Sequence, residues 1–305
     1  MDLNEYLRQA RKNGTAIGHF NFATEDVLKA LVAGSKEAGA SCVMAGTSEG
    51  EADFIGLKEA VAMTRAVAED FQFPVFLNAD HFKSFEKCKE AIDAGYDSVL
   101  IDGSKLEEHE NISLTREVVE YARLASAKRR ETGSVSPSIS VEGELGYLRG
   151  VSEVQHNIAI SPKDYTHPNQ AFHFVSLTGV DRLAVVFGNI HGIVTSQIEK
   201  LDIQHLNSIV RSLSSAKDIY KRDVHLVLHG ASGLSDKDVS DAIKAGIVNV
   251  HFNTELRVAY HDKLKEEFAD PATADETTPY KYLSPAAEEV KKLVIAKTLL
   301  FTRQE

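Results

Sequence analysis

The stretch Pro74-Val75-Phe76-Leu77-Asn78-Ala79-Asp80-His81 decides how the rest of the chain is read. Pro74 to Leu77 is a short apolar run of β type, and a helical pattern begins at Ser84. A carboxylate and an imidazole therefore stand side by side where a buried strand ends. Strand neighbours face opposite ways, but at an exit turn both can aim at one cavity. An aspartate next to a metal-ligating imidazole is what proton abstraction beside a polarised carbonyl requires. The plain alternative is a helix-capping Asp and a hydrogen-bonded His. What decides between them is whether other strands end the same way.

Outward from this stretch, strand and helix alternate along the whole chain. A short amphipathic helix reaches Asn13 and stops at Gly14, and strands are expected at Thr15–Phe22 and Ser41–Ala45. Gly46 to Gly50 reads as a polar turn, and helices cover Thr24–Ala38 and Gly56–Asp70. After the strand ending at His81 come a helix stopping near Gly95, a strand at Asp97–Ile101 and a charged helix at Asn111–Arg130. A fifth strand, Ser138–Glu144, runs into an irregular polar stretch from Tyr147 to Pro168. A connection that long is a disordered segment or an active-site lid. Further strands are expected at Arg182–Phe187, Val224–Leu228 and Ile247–His251, with helices at Ile203–Tyr220 and Asp236–Ala245. Asn253 would cap the next helix, Asp270–Pro279 a solvated loop, and a last helix, Pro285–Phe301, docks on the outside. Strand then helix, about eight times with no low-complexity break, describes an α/β fold, one (β/α)8 TIM barrel over residues 1–305 with an additional C-terminal helix. The competitor is a doubly wound open sheet, but no Gly-x-Gly-x-x-Gly follows the first strand.

Composition bounds the partners. Hydrophobic residues make up 43% and charged residues 26%, as in an ordinary soluble globular protein. A formal net charge of -11 disfavours nucleic acid and anionic membranes, while leaving room for a small phosphorylated substrate held by backbone N–H groups. Cys42 and Cys88 form no disulfide framework or cysteine zinc pattern, the N-terminus carries no signal peptide, and no apolar stretch reaches ~20 residues. A cytoplasmic location is expected.

Collecting the strand ends gives His81, Asp102, Glu144, His191, His229 and His251. Chemistry in a barrel sits at the C-terminal ends of its strands, and three histidines on three strands match a catalytic zinc site with an open position. Asp102 and Glu144 then support the ligands or offer a second metal position; their alternative role is capping. Gly230-Ala231-Ser232-Gly233 follows the seventh strand, and Asn253-Thr254 opens the helix after the eighth. These are the places where barrel enzymes bind phosphate.

At this point the chain resembles the class II, zinc-dependent fructose-bisphosphate/tagatose-bisphosphate aldolases, as a divergent member. The matching stretches are Leu77 to His81, Ile101 to Ser104, Val141 to Gly146, Gly188 to Gly192, Leu228 to Gly233 and Asn253 to Leu256, in the family's order. The resemblance implies that His81, His191 and His229 bind Zn2+ and that Asp80 is the acid/base at the carbon forming the new bond. It implies that Asp102 and Glu144 serve an alternative metal pose. Gly192, Gly230, Ser232 and Thr254, with Ala231 and Asn253 beside them, would hold dihydroxyacetone phosphate, the Gly192 position also serving a monovalent cation. Asn21 and Ser48 would reach the other end of the sugar. The implied reaction is reversible cleavage of fructose 1,6-bisphosphate to dihydroxyacetone phosphate and glyceraldehyde 3-phosphate, by a dimer or tetramer. A Schiff-base route finds only Lys83 and Lys105, outside the histidine cluster.

Three departures stand out. The family's mobile loop carries Glu-Asp where this chain has Ser152-Glu153, so Glu153 would serve after a one-residue shift. His251 replaces a usual Asn and would contact phosphate, metal or a neighbouring loop. Ala231 replaces a frequent Gly, which costs about 1 kcal/mol if φ is positive there. These put the sugar in question more than the aldol chemistry, leaving tagatose bisphosphate or another aldehyde as alternatives. A catalytically silent phosphate-binding barrel is the competing class.

Overall fold

The computed structural model describes residues 1–302 except 134–136, 198 and 221–222, with backbone only at 216–220. Eight of its strands are β1 (Ile17–Asn21), β2 (Val43–Ser48), β3 (Val75–Phe82), β4 (Ser98–Ile101), β5 (Ser140–Leu145), β7 (Arg182–Val185), β9 (His225–Leu228) and β10 (Ile247–Phe252). They are all parallel and close in the order β1-β10-β9-β7-β5-β4-β3-β2, the expected barrel. The remaining two, β6 (Gly150–Gln155) and β8 (His191–Val194), pair with each other in a small sheet outside the barrel.

The strands form because both faces of the sheet are covered. Leu77, Val99, Val141, Leu183 and Val250 pack outward under the surrounding helices, all within 1% of full burial. The covering helices are α2 (Glu25–Glu37), α4 (Leu57–Asp70), α5 (Phe85–Ala94), α6 (Glu108–Glu131), α7 (Pro168–Thr178), α8 (Ile203–Tyr220), α9 (Asp236–Ala245) and α10 (Thr254–Ala269). Helix α1 (Leu3–Asn13) plugs the opposite end with Leu3, Leu7 and Ala10 against Ile17, Met44, Phe76 and Val248, and ends at Gly14 in a left-handed cap. The last helix, α11 (Pro279–Thr302), packs on α2 and α10. Among the described residues no helix is long and apolar enough to cross a membrane.

Four segments differ from the sequence reading, the last helix among them: α11 begins at Pro279 and carries Pro285, its expected first residue, inside it. Gly46 to Ser48 belongs to β2, paired with Asn78, Ala79 and Asp80 of β3, and a further helix, α3 (Glu49–Ile55), starts at once. Gly46 looked like turn punctuation, but it is a strand glycine: a Cβ there would lie 2.3 Å from the His19 ring. The stretch after Gly146 contains β6, held by β8 rather than by its own period. Helix α7 lies where the sequence reading has no element, although Pro168 opens it and Gly179, at φ 71°, closes it.

Inside the barrel the usual branched aliphatic layers give way to polar ones. His19, Asn78, Glu142, Arg182 and Asn249 are all fully buried there. Arg182 donates to Asn249 Oδ1 at 2.9 Å, Asn78 Oδ1 at 3.1 Å and Ser98 Oγ, and forms an ion pair with Glu142 at 2.6 Å. Four strands carry an inward polar pair at i, i+2: His19/Asn21, Asn78/Asp80, Glu142/Glu144 and Asn249/His251. In the last pair the lower member holds the upper directly, Asn249 Oδ1 lying 3.2 Å from His251 Nε2.

Candidate active site

The upper members open into a cavity of about 280 Å³ at the C-terminal mouth. Its walls include the expected Asn21, Ser48, Asp80, His81, Asp102, Glu144, His191, Gly192, His229, Gly230, Ser232, His251, Asn253 and Thr254. Strand β3 solves the problem of aiming Asp80 and His81 together: its pairing with β4 slips between Ala79 and Phe82, and His81 adopts φ 55°. A left-handed histidine is rare and strained. Here it turns the imidazole to the same side as Asp80.

The histidine cluster has a defined hydrogen-bond order. Glu142 Oε1 lies 2.7 Å from His229 Nε2, so that nitrogen carries the proton and Nδ1 presents its lone pair. Burial opposes ionisation of Glu142, but Arg182 and His229 outweigh it and hold the carboxyl below its ordinary range. His81 Nδ1 donates to Asp102 Oδ2 at 3.3 Å and lies 3.1 Å from Glu144 Oε2, which leaves Nε2 facing His229 Nδ1 at 3.0 Å. Two lone pairs that close repel unless a positive centre, a proton or a metal ion, lies between them. His191 completes the group: burial, reinforced by His81 and His229, pushes its pKa down to about 3, so its lone pair is available. One nitrogen from each of the three converges within 4.8 Å. This donor set fits a divalent cation of the zinc class. Asp102 and Glu144 share His81 with a second convergent group, and burial with the Asp102 charge pushes the Glu144 carboxyl up.

Asp80 is held from two sides. Asn21 Nδ2 donates to Oδ2 at 3.0 Å, while Oδ1 has no hydrogen-bond partner and lies 3.4 Å from His251 Nδ1. Burial raises its pKa, but the neighbouring imidazoles of His81 and His251 carry it well below the usual carboxylate range. His251 stacks on His19, ring centroids 3.7 Å apart and 9° from parallel, and its Nε2 meets Asn249 Oδ1 at 3.2 Å. The His251 imidazole therefore buttresses Asp80.

The glycine-rich wall is built by close approach. Gly230 has φ 65°, and a Cβ there would stand 2.0 Å from Ile190 O. Asn189 ties the two loops by donating to His229 O at 3.0 Å. Glu255 accepts from Gly233 N at 2.8 Å. Ala231 is buried outside the cavity lining and is not among the positive-φ residues, so its methyl introduces no strain. Asn253 occupies the N-cap position of α10 without a side-chain cap bond, and its buried Oδ1 has no partner. Strand β6 straps this wall: Ser152 faces in, 3.1 Å from Thr254 Oγ1, and takes a hydrogen bond from Arg257 at 2.9 Å. The alternation of a strand sends Glu153 the other way, exposed and outside the cavity lining.

Sequence reasoning missed Glu142, Arg182, His19 and Asn189. The signal for Glu142 was present, because Ser140, Glu142 and Glu144 share one face of β5. Arg182 reads only as the first residue of its strand, and His19 as a polar position inside the first one.

Residues 1–305 match the family model described as fructose-bisphosphate aldolase class-II. The chain belongs to the class II fructose-bisphosphate aldolase family. Its activity class is that of a carbon–carbon lyase. The "Fructose-bisphosphate aldolase" of Staphylococcus epidermidis is 33% identical over 300 residues, covering 97% of this chain and 95% of that one. Among solved structures, the YdjI aldolase of Escherichia coli is 29% identical with a TM-score of 0.78, over 98% of this chain and 96% of that one. The fructose-bisphosphate aldolase of Campylobacter jejuni, 20% identical, covers 98% and 93% with a TM-score of 0.77, a likeness of fold. Class II aldolases share this barrel, and the strand-end histidines lie at its mouth.

Proposed function

We propose that the protein is a zinc-dependent aldolase that cleaves a ketose phosphate into dihydroxyacetone phosphate and an aldehyde. The carrying observation is the convergence of one nitrogen each from His81, His191 and His229 within 4.8 Å, beside the unpartnered Asp80 Oδ1. A divalent cation held by His81, His191 and His229 would supply Lewis acidity to a ketone oxygen. Asp80 Oδ1 takes and returns the proton as the carbon–carbon bond breaks or forms, with Oδ2 fixed by Asn21. Gly192, Gly230, Ser232 and Thr254 bind the phosphate of the dihydroxyacetone half through N–H and hydroxyl groups. Strap β6 excludes water on that side through Ser152.

Fructose 1,6-bisphosphate is the substrate favoured by family membership. A second reading, a different aldehyde partner, is favoured by one observation: the donors at the far end of the cavity, Asn21 and Ser48, are already bonded to Glu51. The test is cleavage of fructose 1,6-bisphosphate, with and without chelator, by wild type and Asp80→Asn. Chelator-sensitive cleavage that falls about 10²–10⁴-fold in the variant supports the reading. Proton exchange into dihydroxyacetone phosphate, assayed without any aldehyde, tests the shared half-reaction; its absence in zinc-loaded wild type would refute it.

A further inference from the structure

The order of the barrel puts the two ends of a substrate on different walls. The glycine loops follow β7 and β9, and Thr254 follows β10, whereas Ser48 ends β2, Asp80 lies near the end of β3 and Asp102 follows β4, on the opposite side of the ring. On that opposite wall stands Glu51, in the first turn of α3, lining the cavity. One of its oxygens, Oε2, receives three hydrogen bonds: Ser48 N at 2.7 Å, Ser48 Oγ at 2.9 Å and Asn21 Nδ2 at 2.9 Å. Asn21 spends its other contact on Asp80. The neutral donors of this end are therefore consumed by a carboxylate. Among the described residues Oε1 accepts no hydrogen bond and is not a buried orphan. The cations of the same side, Lys83 and Lys105, are exposed at the rim.

A phosphate group arriving here would meet a carboxylate of like charge and find its donors occupied. A hydroxyl group would instead donate to Oε1. Rejection by a placed charge is a common source of specificity, and a site with polar groups matched to a hydroxyl discriminates more strongly than an apolar one. Resting on the aldolase reading above, we propose that Glu51 selects the aldehyde half: it presents unphosphorylated hydroxyl groups, not a phosphate, to the Asn21–Ser48–Glu51 end of the cavity.

Glu51 also completes a capping box with Ser48, and glutamine serves that role as well as glutamate. Glu51→Gln therefore removes the charge and keeps the cap. The experiment measures kcat/KM for aldol addition of dihydroxyacetone phosphate to glyceraldehyde and erythrose against glyceraldehyde 3-phosphate and erythrose 4-phosphate. Wild type and Glu51→Gln are compared, both zinc-loaded and with matched melting temperatures. The expected result is at least a tenfold preference of wild type for the unphosphorylated aldehydes, narrowed about tenfold in Glu51→Gln, which is ~1.4 kcal/mol of discrimination. Proton exchange into dihydroxyacetone phosphate is followed in parallel. If exchange is present but wild type prefers the phosphorylated aldehydes, consumes neither class, or keeps its ratio unchanged in Glu51→Gln, the role of Glu51 is overturned and the aldolase reading stands. If exchange itself is absent, both fall.

Discussion

Glu142 receives a hydrogen bond from His229 at 2.7 Å through one oxygen and pairs with Arg182 at 2.6 Å through the other. A carboxylate anchored by a buried guanidinium thus fixes the tautomer of the imidazole and points Nδ1 at His81. Orienting groups of this kind are worth 10–100-fold in metal affinity. Glu142→Gln keeps an acceptor for His229 but loses the charge, so zinc affinity should fall by about that factor. Competition with a chelating dye measures it directly. Unchanged affinity in a variant with a native circular-dichroism spectrum would sink the tautomer argument.

Arg182 is a stability residue. It is fully buried, and removing it leaves Glu142 as an uncompensated charge in the barrel interior. Breaking such a pair costs about 3–5 kcal/mol, whereas replacing both partners with apolar groups is far cheaper. Urea unfolding of the chelated protein should show Arg182→Met strongly destabilised. The double variant Arg182→Met with Glu142→Leu should lose clearly less than the sum of the single losses, because the two sites touch. Additive losses would show that the pair is not coupled.

What was legible in the sequence followed from periodicity and from strand ends. The apolar runs at Val75, Val99, Val141, Leu183, Leu226 and Val250 each precede a polar residue and a helical pattern, so the barrel and its histidine mouth could be read directly. Two kinds of information could not. Strand β6 exists because Gly150, Val154 and Gln155 pair with His191, Ile193 and Val194, contacts some forty residues away that leave no local period. Ionic partners inside the barrel cannot be read from one strand either: Arg182 meets Glu142 from an adjacent strand, yet reaches Asn78 and Asn249 across the interior. Glycines misled where close approach, not a turn, required them, as Gly46 shows beneath the His19 ring.

Gly230 and Ala231 are neighbours with opposite requirements. At Gly230 the backbone is left-handed and a methyl would collide with the Ile190 carbonyl, whereas Ala231 already carries its methyl in a conformation outside the positive-φ set. Gly230→Ala should displace the loop and weaken binding of dihydroxyacetone phosphate tenfold or more. Ala231→Gly should leave binding within about twofold and cost only about 0.5–1 kcal/mol of stability. Isothermal titration with the zinc-loaded proteins separates them. Equal losses in both would mean that the clash with Ile190 is relieved by another route.

Glu199 supplies a pH dependence outside the histidine cluster. The side chain is buried, its Oε1 only 3.6 Å from where a Cβ at Gly233 would stand, and burial pushes its carboxyl from the ordinary 4.5 up to about 7. Below 4.5 the folded and unfolded chains both hold the proton, so the stabilisation of the protonated form is fully present. Between 4.5 and about 7 only the folded chain keeps it, so stability falls as pH rises through that window and then levels off. An upper bound on the effect is about 3–4 kcal/mol, at 1.36 kcal/mol per unit. Glu199→Gln, which has no proton to lose, should show a flatter decline of unfolding free energy across the same window than wild type, both measured in chelator. Parallel curves for the two proteins would place the proton uptake on another residue.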